Sequence, residues 1–200
     1  MIEQIGTGSL HFKEAPFLVE SASIVGTKEG EGPLGSMFDV VGEDDKFGQN
    51  TWEKAESCLQ QDALTLAIGK AGVKKDEIRY LFAGDLLGQS MASSFGLKQF
   101  EIPLFGVYGA CSTCGESLSL ASIAVASGSA DCVAAVTSSH FASAEKQFRF
   151  PLEYANQRPV SATWTVTGSG AFILGNESYK GKIKHQKAEK YIRITGITHR

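Results

Sequence analysis

Apolar runs of strand length alternate with helix-length stripes along most of this chain, and that alternation narrows its fold more than any other feature. Residues 16–25 alternate loosely as a first strand. A glycine-rich stretch over 26–35 then reads as a long loop. Trp52, Ala55, Leu59, Ala63, Leu66 and Ala67 recur at spacings of three and four, which puts one apolar stripe on a helix ending near Gly72. Asn50 followed by Glu53 offers that helix a capping box. Residues 78–84 read as a buried strand, 89–97 as a short helix, 102–107 as an apolar strand, 112–127 as a helix of small residues, and 132–137 as a strand. Residues 141–158 read as a polar loop with aromatic residues, 164–174 as a strand containing Gly168 and Gly170, and 192–198 as the start of another.

Such alternation predicts an α/β fold with a mixed, mostly parallel sheet and helices on both faces. Ligands of such sheets collect beyond the carboxyl ends of the strands. Asp85 and Cys111 each follow a strand, so both are expected at that end. The glycines at 168 and 170 are expected to permit close backbone packing.

Nineteen basic against 22 acidic residues leave a net charge of −3, so no basic field invites nucleic acid. No stretch approaches the ~18–20 apolar residues of a membrane span. The N-terminus lacks the basic-then-apolar layout of a secretory signal. An intracellular protein is expected, soluble or peripheral to a membrane. Its four cysteines are then expected to stay reduced. Cys58 and Cys132 read as small core residues.

Cys111 reads differently. In Phe105-Gly-Val-Tyr-Gly-Ala-Cys-Ser-Thr-Cys-Gly115 an apolar strand runs into Gly109-Ala110-Cys111, and a helix opens at once. Small neighbours allow a tight turn with the cysteine at its apex, as in nucleophile elbows. Free amides at a helix start favour a thiolate and equally suit a carboxylate. Cys111 and Cys114 form a CxxC, open to a dithiol redox reading, although Cys114 is read more simply as helix packing. Zinc would need two further ligands, and the chain has neither a second CxxC nor a paired histidine. No metal or cofactor is expected.

The run GACSTCGESLSLA resembles the nucleophile turn of the thiolase and ketoacyl-synthase superfamily. Four further segments sharpen the likeness: Gly30–Gly35, Ala83–Leu87, Thr137–His140 with Ala144–Pro151, and Thr165–Ala171. Together they resemble the stage V AD sporulation family, a thiolase-like branch from spore-forming bacteria. That resemblance implies binding of dipicolinic acid and its uptake into the developing spore, without turnover. It also implies calcium as a companion of the ligand, other stage V A sporulation proteins at the forespore membrane as partners, and a homodimer. By position Cys111 matches the thiolase nucleophile, and an acyltransferase using Cys111 is the alternative. Residues 1–178 match a first thiolase-like half. Residues 179–200 read as the start of a truncated second half, so the chain alone is expected to be poorly stable or to self-associate.

Dipicolinate is a flat aromatic dianion, which calls for cations or amide donors at its ends and apolar walls along its ring. The site residues expected on these grounds are Cys111, Ser112, His140, Arg149 and Asp85. Lys146 and Arg158, beside Phe148, Phe150 and Tyr154, supply suitable types in the same loop. A carboxylate would repel the ligand, so Asp85 is expected to orient a neighbour or hold a ligand-bound metal. His140 is open to two readings, a base near Cys111 or a loop hydrogen-bonder.

Overall fold

The structure is a computed structural model describing residues 1–148, 160–161, 163–183 and 191–198. The chain opens with β1 (Ile2–Ile5) and β2 (Ser9–Phe12), then β3 (Phe17–Val25), the one-turn helix α1 (Thr27–Gly30) and the short β4 (Val40–Val41). Helix α2 (Trp52–Ala71) leads to β5 (Tyr80–Gly84), α3 (Met91–Leu97), β6 (Leu104–Gly106) and α4 (Thr113–Ala126). The described chain continues through β7 (Cys132–Ser139), α5 (Phe141–Phe148), β8 (Gly168–Gly175) and β9 (Gly196–Thr198).

Six strands form one sheet in the order β4-β3-β8-β7-β5-β6. Only β8 runs against its neighbours, so the sheet is mixed and mostly parallel, as the alternation predicts. Successive side chains of a strand point to opposite faces, and here both faces are covered. Leu81, Ala134 and Ile173 pack with Leu59, Ala63, Leu64 and Ala67 of α2. Phe82, Val133, Ala135 and Leu174 pack with Ala121 and Val125 of α4. That double cover explains why Cys132 to Val136 are buried without a break.

Helix α2 keeps its expected span. Gly72 closes it at φ 63° and returns its amide to the Ile68 carbonyl. Its N-cap is Thr51 rather than Asn50, with Oγ1 accepting the Lys54 amide at 3.3 Å.

Three departures from the sequence pattern matter. The N-terminal hairpin forms a second sheet, β1-β2-β9, so the strand expected at 192–198 divides: Gly196–Thr198 pairs with β2, while Arg193 makes one antiparallel bridge to Phe17 of β3. Strand β8 begins at Gly168, because the amides of Thr165 and Thr167 go to the carboxylates of Glu145 and Glu29 rather than to a ladder. Residues 141–148, expected as loop, form α5. Its buried side includes Ser143 and Glu145 beside Ala144, so its inward face looks polar in sequence. Among the described residues no helix is long and apolar enough to cross a membrane.

Candidate functional site

After β6 the chain makes one three-ten turn, Ala110–Ser112, and α4 opens at Thr113. Cys111 therefore stands between strand and helix, with its side chain exposed, as the elbow reading requires. Ala110 holds φ 48°, the left-handed region that costs a residue with a Cβ. Glycine makes the turn possible at two places. A Cβ on Gly84 would run into the Val107 carbonyl and the Thr113 methyl, so the end of β5 can touch the elbow only as glycine. A Cβ on Gly109 would meet Ser112 and Glu116. The turn is held by the Gly109 amide on Thr113 Oγ1 at 3.1 Å and by Ser112 Oγ on the Gly109 carbonyl at 2.8 Å. Ser112 Oγ also bonds Glu116.

Cys111 borders two clefts. The first, about 500 Å³, opens where β3 and β7 end and β8 begins, with Cys111, Cys114 and Ala110 on one side. Its walls are apolar at Val25, Phe38, Leu86 and Phe172 and include Thr137, Ser138, Ser139 and Ser169, of which the three serine hydroxyls donate to Glu56, the Val166 carbonyl and the Thr137 carbonyl. Among its described lining there is no His, Asp, Glu, Lys or Arg. Gly168 packs closely, since a Cβ there would sit 3.0 Å from the Ile24 carbonyl. Gly170 meets only the Phe172 ring, at 3.6 Å. The second cleft, about 650 Å³, lies between α4 and the small sheet, lined by Ser112, Glu116, Leu120, Leu10 and Ile197.

The remaining expected residues are placed as follows. Asp85 is buried at the carboxyl end of β5, accepting the Leu87 amide at 2.9 Å, the Ser93 amide at 2.8 Å and Ser93 Oγ at 2.6 Å. It thus fixes the turn that presents Leu86 to the first cleft, an orienting role. His140 is fully buried and is not among the residues lining either cleft. Its Nδ1 accepts the Ala142 amide at 3.1 Å, and its Nε2 donates to the Asp45 carbonyl at 2.6 Å. It stacks on Phe141 and lies against Trp52. Burial holds its pKa below the usual imidazole value, so it is neutral. The structure thus favours the loop hydrogen-bonder over the base. Arg149, Phe150, Tyr154 and Arg158 lie outside the described residues.

The sequence reading missed a buried polar cluster behind the first cleft. Glu56, one turn before Gln60 on α2, is fully buried. Ser138 Oγ bonds Glu56 Oε1 at 2.9 Å, and Ser143 Oγ bonds Oε2 at 2.7 Å. Gln60 Nε2 reaches Ser138 Oγ at 2.8 Å, Ser93 Oγ at 2.9 Å and the Gly84 carbonyl at 3.3 Å. Burial pushes the Glu56 carboxyl up to about 7; nearby Asp85 adds to the rise, and the two serine hydroxyls oppose it. The signal was present: a Glu and a Gln four apart beside the apolar stripe of α2.

Residues 6–198 match the sequence model of the family described as Stage V sporulation protein AD. Over 162 residues the chain is 45% identical to the Stage V sporulation protein AD of Bacillus subtilis (strain 168), covering 80% of this chain and 48% of that protein. The chain thus spans about half the length of this curated relative. Its fold resembles Xanthomonas campestris OleA (TM-score 0.56, 15% identity, 86% of this chain and 59% of that one). It also resembles 3-oxoacyl-(acyl-carrier-protein) synthase III from Aquifex aeolicus (TM-score 0.54, 15% identity, 81% and 54%). These likenesses place the fold among the thiolase and ketosynthase architectures.

Proposed function

The chain belongs to the stage V sporulation protein AD family, and from that premise we propose that it binds dipicolinic acid in the first cleft, for uptake into the developing spore, without turning it over. The observation that carries this reading is the lining of that cleft. Apolar walls at Val25, Leu86 and Phe172 suit an aromatic ring, and Thr137 beside them suits a carboxylate oxygen. The dianion's charge is met by Arg149, by calcium arriving with the ligand, or by both. The protein acts at the forespore membrane beside other stage V A proteins, as a soluble or peripheral member. A second copy pairs along β6, whose outer edge carries exposed Leu104 and Phe105.

Equilibrium dialysis with dipicolinate, with and without calcium, tests the binding; saturable uptake supports it and its absence in both conditions refutes it. Intact-protein mass spectrometry after incubation with acyl-coenzyme A tests the rival. An acyl group on Cys111 that turns over would make the protein an acyltransferase instead.

A further inference from the structure

We propose that Cys111 and Cys114 are a dithiol exchange site: a low-molecular-weight disulfide bearing an amine reaches Cys111 from the second cleft, and Cys114 resolves it into a Cys111–Cys114 bond. This goes beyond the binding reading above and does not rest on it.

The backbone from Cys111 to Cys114 is one helical turn. Cys111 is the middle residue of the three-ten turn Ala110–Ser112, and α4 follows at Thr113 without a break. Ser112, at φ −86° and ψ −10°, and Thr113, at φ −51° and ψ −40°, are both right-handed helical. Helical residues three apart have Cβ atoms about 5–6 Å apart, and three-ten winding eclipses them. A disulfide takes Cα atoms about 4.4–6.8 Å apart, which one such turn supplies. The two cysteines also extend one face of α4, because Cys111, Cys114, Leu118, Ala121 and Val125 recur at spacings of three and four. Leu118, Ala121 and Val125 meet the sheet. Cys114, half-buried, belongs to none of the apolar clusters and lies where that face leaves the core and borders the first cleft. Neither other cysteine competes. Cys132 packs with α2 on the opposite face of the sheet, and Cys58 is on α2, bonded to Asp62.

Cys111 borders both clefts, whereas Cys114 borders only the first. Exchange at sulfur places the attacking and leaving sulfurs on opposite sides of the central one. The second cleft, about 650 Å³, therefore has room for the leaving group while Cys114 attacks from the first. Glu116 is the one charged residue of its described lining, so a disulfide carrying an amine suits it better than one carrying carboxylates. The Cys111 thiolate attacks one sulfur of RSSR, giving Cys111–S–SR and expelling RS⁻. The Cys114 thiolate then attacks the Cys111 sulfur and expels the second RS⁻. Two protein thiols are oxidised, one RSSR is reduced, and the two thiol protons end on two RSH.

The test treats the chain with cystamine, quenches with N-ethylmaleimide and reads each cysteine in chymotryptic peptides by mass spectrometry. The wild-type chain should yield a Cys111–Cys114 bond, two hydrogens lighter, with the cysteamine adduct on Cys111 only transient. Cys114→Ser should hold that adduct on Cys111, and Cys111→Ser should lose it. A lasting adduct on wild-type Cys111, or a bond to Cys58 or Cys132, overturns the exchange site without depending on any variant folding. The side of entry is read from the rate with cystamine divided by the rate with neutral iodoacetamide at Cys111, a ratio that cancels the thiolate fraction. Glu116→Gln, which keeps an acceptor for the Ser112 hydroxyl, should lower that ratio about twofold to fivefold, the scale of one exposed ion pair. An unchanged ratio overturns entry from the second cleft. Dipicolinate plays no part in either readout, so this proposal and the binding reading fail separately.

Discussion

Ser138 Oγ lies 2.9 Å from Glu56 Oε1, which ties the carboxyl end of β7 to a carboxyl of α2 with no solvent exposure. A buried carboxyl whose folded pKa rises from 4.5 to about 7 binds its proton more tightly folded than unfolded. Its stabilising contribution is complete below about pH 4.5 and is lost as pH climbs through about 7. The loss is of the order of 3 kcal/mol. Glu56→Gln should therefore melt higher than the wild type at about pH 8, and the gap should close toward about pH 5. Calorimetric melts across that range check it; equal melting temperatures at the alkaline end would contradict the account.

His140 acts in the opposite sense. Its folded pKa is below 6.5, so its contribution is present above that value and is lost as pH falls beneath it. In Glu56→Gln the acid limb from His140 should remain while the neutral-range slope disappears. His140→Ala should cost about 2 kcal/mol or more, because the Asp45 carbonyl and the aromatic stack lose their partner. The iodoacetamide rate at Cys111 should be unchanged in that variant. A changed rate would place His140 in the chemistry after all.

The four thiols should separate by environment. Cys58 is pushed up to about 11 by burial and by Asp62, and Cys132 to about 12 by burial. Cys111 is exposed. Limited alkylation near neutral pH should label Cys111 first, Cys114 and then half-buried Cys58 more slowly, and Cys132 only on unfolding. Peptide mass spectrometry gives the order directly, and early labelling of Cys132 would mean that β7 opens readily.

Gly84→Ala should destabilise the protein by about 1–3 kcal/mol, since its Cβ collides with the Val107 backbone and with Thr113 beneath the elbow. Gly170→Ala, whose Cβ would have only ordinary contact with Phe172, should cost much less. Denaturant melts of the two variants distinguish the positions, and equal losses would contradict a close approach specific to Gly84.

Much of this arrangement is legible in the sequence, and the exceptions have physical causes. The stripe from Ala55 to Ala67 announces α2, and the small residues from Gly109 to Gly115 announce the elbow, because each depends on local periodicity or turn sterics. The hairpin of β1 and β2 does not announce itself, since Glu3, Gln4 and His11 are exposed and only Phe12 is fully buried. Helix α5 hides because its inward residues include Ser143 and Glu145, whose burial is compensated by partners far away in sequence, Glu56 and Thr165. The same non-locality hides the role of Glu56. A glutamate on a helix reads as a solvated residue until the strand carrying Ser138 is laid against it.

The central claim is that the cleft at Cys111 is a dipicolinate site. Its most direct measurement is a calorimetric titration of dipicolinate into the protein before and after carboxamidomethylation of Cys111. The account predicts saturable binding by the untreated protein and weakened binding once the added group occupies the space beside Cys111. Equal binding in both samples, or none in either, would contradict it.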